Sequence, residues 1–273
     1  MTEVRLSPEL DRAMEALETS FHVRLIATFG EELLCAPVEA PAEEWLGVNG
    51  AEFDQFPVRR GAETIGVLLR SPERPRGTVG DAMMRLSEAL LVSADLPLTK
   101  LIPELRNRPF RLVLRGGRID GLVTRSDLLK IPVRMVLFAI ITHLEQIMAD
   151  VIVRQWPIES EWFNRLATGR QENSRKKLAG LQERRMDPQL IEVTEFSDKR
   201  DLCRLLIEAG GKNRFEADMN GLRDLRDSLA HAATFLTNDG EAASIESFVS
   251  KFESALVWIR ELNALRGRLG VEK

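Results

Sequence analysis

Two short runs in this 273-residue sequence hold side chains of types and at spacings that could do chemistry. The first is Arg226-Asp227-Ser228-Leu229-Ala230-His231, with a guanidinium and an imidazole five residues apart and a carboxylate between them. An imidazole titrating near neutrality can act as acid or base, and a planar guanidinium can hold developing negative charge. Asp227 precedes His231 by four residues, one helical turn, so it can orient the ring. The second is Gly121-Leu122-Val123-Thr124-Arg125-Ser126-Asp127, which places two hydroxyls, a cation and a carboxylate where a strand gives way to a helix start. Plainer readings stand beside both. Arg226 can sit in a surface ion pair with an aspartate while His231 is exposed, and Thr124 or Ser126 can cap a helix whose N-terminal dipole Asp127 favours. Arg125 can equally be a solvated surface cation.

The first run must be positioned by a helix. Phe215, Met219, Leu222, Leu225, Leu229, Ala232 and Leu236 recur at helical spacing, which predicts one amphipathic helix over 215–236 with these residues in a core. At about 100° per residue, Arg226 falls at the edge of the apolar arc and His231 on the opposite side. A charge at a core edge is costly unless it is used. Around it, Leu137, Ile140, Ile141, Leu144, Ile147, Met148, Val151 and Ile152 predict a long central helix from Pro132 that Trp156-Pro157 stops. On that helix His143 reads as a packed or surface histidine. A helix is expected over 197–209, ended by Gly210-Gly211, and a closing one is marked by Phe248, Phe252, Ala255, Leu256, Ile259 and Leu262. Short turns between long helices imply a bundle.

The second run must be positioned by a hairpin. Phe110–Arg115, Gly116-Gly117 and Arg118–Thr124 read as strand, tight turn and strand, the glycines supplying positive φ. Phe56–Gly61 and Thr64–Arg70 read the same way, about 54 residues earlier counted from Gly66 to Gly121 with one slip allowed, as an internal duplication would give. Ahead of them, Ser7-Pro8 starts a short helix carrying Leu10, Met14 and Leu17, and Val23, Leu25 and Ile26 suggest a strand. Residues 22–55 are otherwise unassigned.

Composition narrows the class. Hydrophobic content of 44% and charged content of 29% describe a globular chain with room for two domains. A formal charge of −4 supplies no global attraction to nucleic acid, so RNA contact would need a local patch. The best candidate is Arg165–Arg185, where seven Lys or Arg face Glu172 and Glu183, an excess of +5 that is also compatible with a solvated helix face. Only Cys35 and Cys203 are present and no His/Asp/Glu cluster has ligand spacing, so neither a disulfide framework nor a metal site is expected. A start rich in acids lacks a signal's apolar region, and the run Met135–Leu144 is too short to span a bilayer, so a soluble cytoplasmic protein without membrane attachment is expected.

The residues 78–129 resemble the second copy of a tandem CBS-domain module. The matching parts are Thr78–Met83, a strand Leu90–Ser93, a helix Pro97–Arg106, the hairpin and Gly121–Asp127, whose G-apolar-apolar-T-x-x-D is the family's nucleotide motif. The resemblance implies an adenine nucleotide as regulatory ligand. Thr124 and the helix start at Ser126 would offer donors to a phosphate, Arg125 is the nearest cation, and Asp127 would accept from ribose hydroxyls. The first copy is degenerate: Gly66-Val67-Leu68-Leu69-Arg70-Ser71-Pro72 has no Asp, so at most one site should bind in the family manner.

The helices of 131–273, with R-x4-H late in one of them, resemble the HEPN family of helical bundles, many of which are metal-independent ribonucleases. That resemblance implies attack of a ribose 2′-hydroxyl on the adjacent phosphate, with His231 as general base or acid, Arg226 stabilising the charge on phosphorus and Asp227 orienting the imidazole. Arg226 and His231 lie about 140° apart around the axis, so one helix cannot focus both on one phosphate, and a homodimer would complete the site. The expected architecture is α+β: a tandem CBS module over 1–130 followed by an all-α HEPN-like bundle over 131–273. Two functions remain open, a nucleotide-regulated endoribonuclease of stress or phage defence, and a non-catalytic protein whose two parts bind nucleotide and mediate dimerisation.

Overall fold

The computed structural model describes residues 7–50, 52–71, 75–230 and 241–271. It divides into two compact units, residues 18–133 and the described part of 1–17 together with 134–273. The expected boundary after Lys130 thus falls three residues later, in the first turn of a helix, and the opening residues group with the C-terminal unit rather than with the module.

The class is α+β, and the first unit is built twice. Its strands are β1 (Thr28–Phe29), β2 (Ala36–Pro37), β3 (Gln55–Arg60), β4 (Glu63–Leu69), β5 (Met84–Arg85), β6 (Leu91–Ser93), β7 (Phe110–Arg115) and β8 (Arg118–Thr124). β3 begins at 55 and β7 at 110, β4 at 63 and β8 at 118, so the duplication has a displacement of 55 without the expected slip. The two hairpins even share an irregularity of register at equivalent places, Val58/Arg59 and Val113/Leu114.

The copies are interlocked through their short strands. One sheet runs β2-β3-β4-β5 and the other β6-β7-β8-β1, so β1 and β5 each complete the sheet of the opposite half. Two glycines explain the close approach. A Cβ on Gly66 would lie 2.4 Å from the Met84 carbonyl oxygen in β5, and one on Gly121 2.4 Å from the Phe29 ring in β1. Only a residue without a Cβ lets these strands pair. In the tight turn after β7, Gly116 and Gly117 have φ of 57° and 80°, which the hairpin requires.

Apolar side chains fill both faces of the β3-β4 hairpin. Val67 joins Leu33, Phe110, Leu112 and Leu122 in one cluster, while Phe56, Val58 and Leu68 join Ala36, Val38, Ala42 and Val79 in another. Thr64 Oγ1 donates to the Ile119 carbonyl at 2.8 Å and ties the two hairpins together. The strand expected at Val23–Ile26 is instead a 3-10 turn, Val23–Leu25, ahead of β1. Val23 and Ile26 are both buried while Leu25 is 46% exposed, a three-residue spacing that suits a helical turn and not a strand's alternation.

The helices are α1 (Ser7–Ser20), α2 (Ala42–Asn49), α3 (Val79–Ala82), α4 (Leu98–Glu104), α5 (Ile131–Gln155), α6 (Glu159–Phe163), α7 (Thr168–Glu183), α8 (Leu190–Val193), α9 (Phe196–Arg204), α10 (Lys212–Ala230) and α11 (Glu241–Val271). The expected helix over 197–209 is α9, which starts one residue earlier and ends five earlier, because Leu205 to Glu208 lead into a 3-10 turn at Ala209–Gly211. By length and composition α5 could cross a membrane, which the short run Met135–Leu144 had not suggested; 67% of its most apolar window is buried inside the protein, as in a core helix. His143 is buried on it. In α10, Phe215, Met219, Leu222, Leu225 and Leu229 are all buried, and α10 packs on α9 and α11. Ala232 and Leu236 of the expected stripe lie outside the described residues.

Candidate functional site

A cleft opens in the first unit, at the seam that the exchanged strand β1 creates; it encloses about 120 Å³ and is otherwise open to solvent. β8 and the 3-10 turn that follows it (Arg125–Leu129) contribute Leu122, Thr124, Ser126 and Asp127; β1 contributes Thr28, the turn at Gly30–Glu32 contributes Glu32, Gln55 and Phe56 come from the start of β3, and Phe53 lies just ahead of it. Thr124 and Asp127, two of the three residues that the nucleotide motif singled out, are therefore brought together on one wall.

Both are engaged with each other. The Thr124 backbone N–H donates to Asp127 Oδ2 at 2.7 Å, and the Thr124 hydroxyl lies 3.2 Å from the same oxygen and 2.7 Å from Ser126 Oγ. This reciprocal cap closes the first turn after β8. On its other side Asp127 Oδ1 meets Lys130 Nζ at 2.7 Å, and that ammonium also donates to the Ile26 carbonyl. The Arg125 N–H donates to the Pro109 carbonyl at 3.0 Å. The donors expected for a phosphate are thus largely committed within the turn, which is the capping reading of the same residues.

Arg125 points elsewhere. Its Nε donates to the Leu105 carbonyl at 2.9 Å and its Nη2 to the Arg106 carbonyl, so the guanidinium is held by the two carbonyls that follow α4 and is not in the lining of the cleft. Thr28, Glu32, Phe53 and Gln55 were missed because they lie in the stretch 22–55 that no motif marked. The signal that could have found them is the duplication, which predicts an exchanged short strand ahead of each copy.

The turn at Thr78 repeats the cap of Thr124. Asp81 Oδ2 accepts from the Thr78 N–H at 2.9 Å and the Thr78 hydroxyl at 2.8 Å, and these bonds hold its carboxyl below the usual carboxylate range. In the first copy's own hairpin the place of Thr124 is taken by Leu69, consistent with its degenerate motif.

The second candidate looks different from its sequence. Arg226 Nη1 meets Glu145 Oε2 of α5 at 2.9 Å, its Nη2 lies 3.4 Å from Asp227, and its guanidinium sits over the Phe196 ring at 5.4 Å from the centroid. The other Glu145 oxygen takes Lys199 Nζ at 3.0 Å, and that buried ammonium also donates to the Thr194 carbonyl at 2.7 Å. Arg226 therefore helps to tie α5, α9 and α10 together, and its place at the core edge is as the periodicity predicted. His231 lies outside the described residues.

Of the basic run Arg165–Arg185, four cations are tied within the protein. Arg165 lies over the Trp156 ring at 4.9 Å and Arg175 over Phe163 at 5.1 Å, Arg170 pairs with Asp198, and Lys177 with Glu195 at 3.1 Å. Among the described residues no group of three or more His, Cys, Asp or Glu could hold a metal ion. Burial raises the Cys203 thiol and, more modestly, that of Cys35.

No protein-family model matches the chain, and no curated protein matches it. Solved structures do. The CBS domain of the bacterial CNNM/CorC family Mg2+ transporter in complex with ATP is 25% identical, over 44% of this chain and 92% of that one, with a TM-score of 0.35. The CBS domains of a transcriptional regulator from Streptococcus pneumoniae are 19% identical over 40% of this chain and 97% of that one, TM-score 0.35. CBSX2 in complex with AMP is 16% identical over 43% of this chain and 97% of that one, TM-score 0.35.

Proposed function

We propose that residues 18–133 bind an adenine nucleotide or nucleoside in the Thr124 cleft, and that the chain is a non-catalytic regulatory protein whose helical unit serves as a dimerisation or partner platform. One observation carries the reading: the residues of the G-apolar-apolar-T-x-x-D motif line a cleft together with aromatic and amide side chains from the opposite half of the duplication. Asp127 retains lone pairs for ribose hydroxyls beside its cap, and the half-exposed Phe53 ring offers flat apolar surface to a base, with the buried Phe56 ring packed edge-on behind it. The adenine identity comes from the resemblance to CBS modules.

Calorimetric titration of adenosine, AMP and ATP into the purified chain tests this. Saturable heat with at least one of them is expected, lost on Phe53→Ala or Thr28→Tyr, which alter the cleft wall without touching the Asp127 cap. No heat with any of the three ends the proposal.

The ribonuclease that R-x4-H implies competes with this reading. The engagement of Arg226 by Glu145 and Asp227 supports a structural role for it. Total RNA incubated with the protein in EDTA, beside an Arg226→Ala/His231→Ala variant, separates the two: cleavage by the wild type alone would make the chain an endoribonuclease.

A further inference from the structure

We propose that the Thr124 cleft selects adenosine, or a nucleoside equally free of anionic charge, over a free nucleoside triphosphate, with Glu32 setting that preference; the proposal rests on the reading of the cleft as a nucleotide site. The reason is the sign of its lining. Among the described residues that line it, the ionisable ones are Glu32 and Asp127, and none is Lys, Arg or His. Asp127 is compensated by the Lys130 ammonium at 2.7 Å. Glu32 is exposed at the end of its 3-10 turn and has no ion pair among the described residues, so its charge is the uncompensated one.

The groups that would answer a phosphate are occupied elsewhere. Arg125, the nearest cation in the sequence, holds the carbonyls of Leu105 and Arg106. The Thr124 hydroxyl and backbone N–H and the Arg125 N–H are bonded to Asp127, Ser126 and Pro109. A five-residue 3-10 turn also brings no macrodipole of the kind that binds anions at a long helix. Ribose hydroxyls and an uncharged base need none of these groups.

Distance does not rescue a polyphosphate within the cleft. A volume of about 120 Å³ corresponds to a sphere roughly 6 Å across, narrower than the Debye length at about 0.1 M salt. Every position inside therefore feels the Glu32 carboxylate. A triphosphate has to project its charge out of the mouth or accept repulsion inside.

The experiment is calorimetric titration of adenosine, AMP and ATP in EDTA, at about 10 mM ionic strength, on the full chain and on Glu32→Gln and Glu31→Gln variants. Adenosine is expected to bind about tenfold more tightly than ATP, with AMP between them, as a like charge a few ångströms away would give. Glu32→Gln should raise ATP affinity relative to adenosine and so narrow the gap; Glu31→Gln, one residue away and not in the lining, should leave the ratio alone. Raising the salt to about 1 M should shrink the gap by screening. ATP binding as tightly as adenosine, or a gap unmoved by Glu32→Gln, overturns the selectivity while leaving the nucleotide site standing. Absence of binding by all three compounds overturns both.

Discussion

Arg226 shows how one residue's place can be legible from sequence while its partners are not. Its position at the rim of the apolar arc was legible from spacing alone, because a helix repeats every 3.6 residues whatever surrounds it. Its partners were not, since Glu145 lies 81 positions away and no local pattern links the two. Glu145 is 20% exposed and shared between Arg226 and the buried Lys199, so removing the guanidinium leaves a carboxylate with one cation in place of two. Arg226→Ala should therefore destabilise the helical unit by about 1–2 kcal/mol, less than a fully buried pair would lose because both groups still reach water. Urea unfolding followed by far-ultraviolet circular dichroism measures it. Full stability in Arg226→Ala combined with loss of RNA cleavage would reverse the argument and return the residue to catalysis. Arg125 carries the same lesson: its neighbours in sequence suggested phosphate, and its neighbours in space are the two carbonyls that follow α4.

At the scale of elements, the hairpins were the most legible part of the chain. Alternating apolar residues bounded by Gly116-Gly117 define β7 and β8 to the residue, and the first hairpin nearly so. Two-residue strands such as β1 and β5 have no periodicity to detect, and their sheet partners are set by tertiary pairing, which is why the stretch 22–55 stayed unassigned. Gly66 and Gly121 were useful in the sequence only as landmarks of the repeat; the structure gives them a cause, the passage of an exchanged strand against each. Gly66→Ala should be the more damaging of the two substitutions. Its Cβ would press on the Met84 backbone oxygen, which moves only with β5, whereas at Gly121 the first obstacle is the Phe29 ring, although Val113 lies 3.0 Å away and limits the adjustment. Losses of about 1–3 kcal/mol for Gly66→Ala are expected from overpacking of this kind. Equal stability of Gly66→Ala and wild type in urea would mean that β5 is not held by β4. Gly121→Ala should in addition weaken adenosine binding, because β1 carries Thr28 into the cleft.

For the whole molecule, a net charge of −4 and a chain of two compact units set what regulation would have to accomplish. The junction near Pro132 was legible because proline interrupts a preceding helix, but the grouping of the opening helix was not: a short amphipathic stripe carries no mark of which core it will join. A ligand that binds only the folded first unit stabilises that unit by mass action, by about 2.7 kcal/mol at a hundred times its Kd. Were the two units energetically independent, calorimetric scanning would show adenosine raising one unfolding transition and leaving the other where it was. A sensor requires more than binding, because a ligand shifts an equilibrium only through a difference in affinity between states, and the same coupling must appear from both sides. Adenosine should accordingly raise the transition of the helical unit as well, and unfolding that unit selectively in urea should in turn lower adenosine affinity by a few fold, as a coupling of about 1 kcal/mol would. Two transitions of which only one responds, with adenosine affinity indifferent to the state of the helical unit, would leave a nucleoside-binding module attached to a bundle that does not sense it.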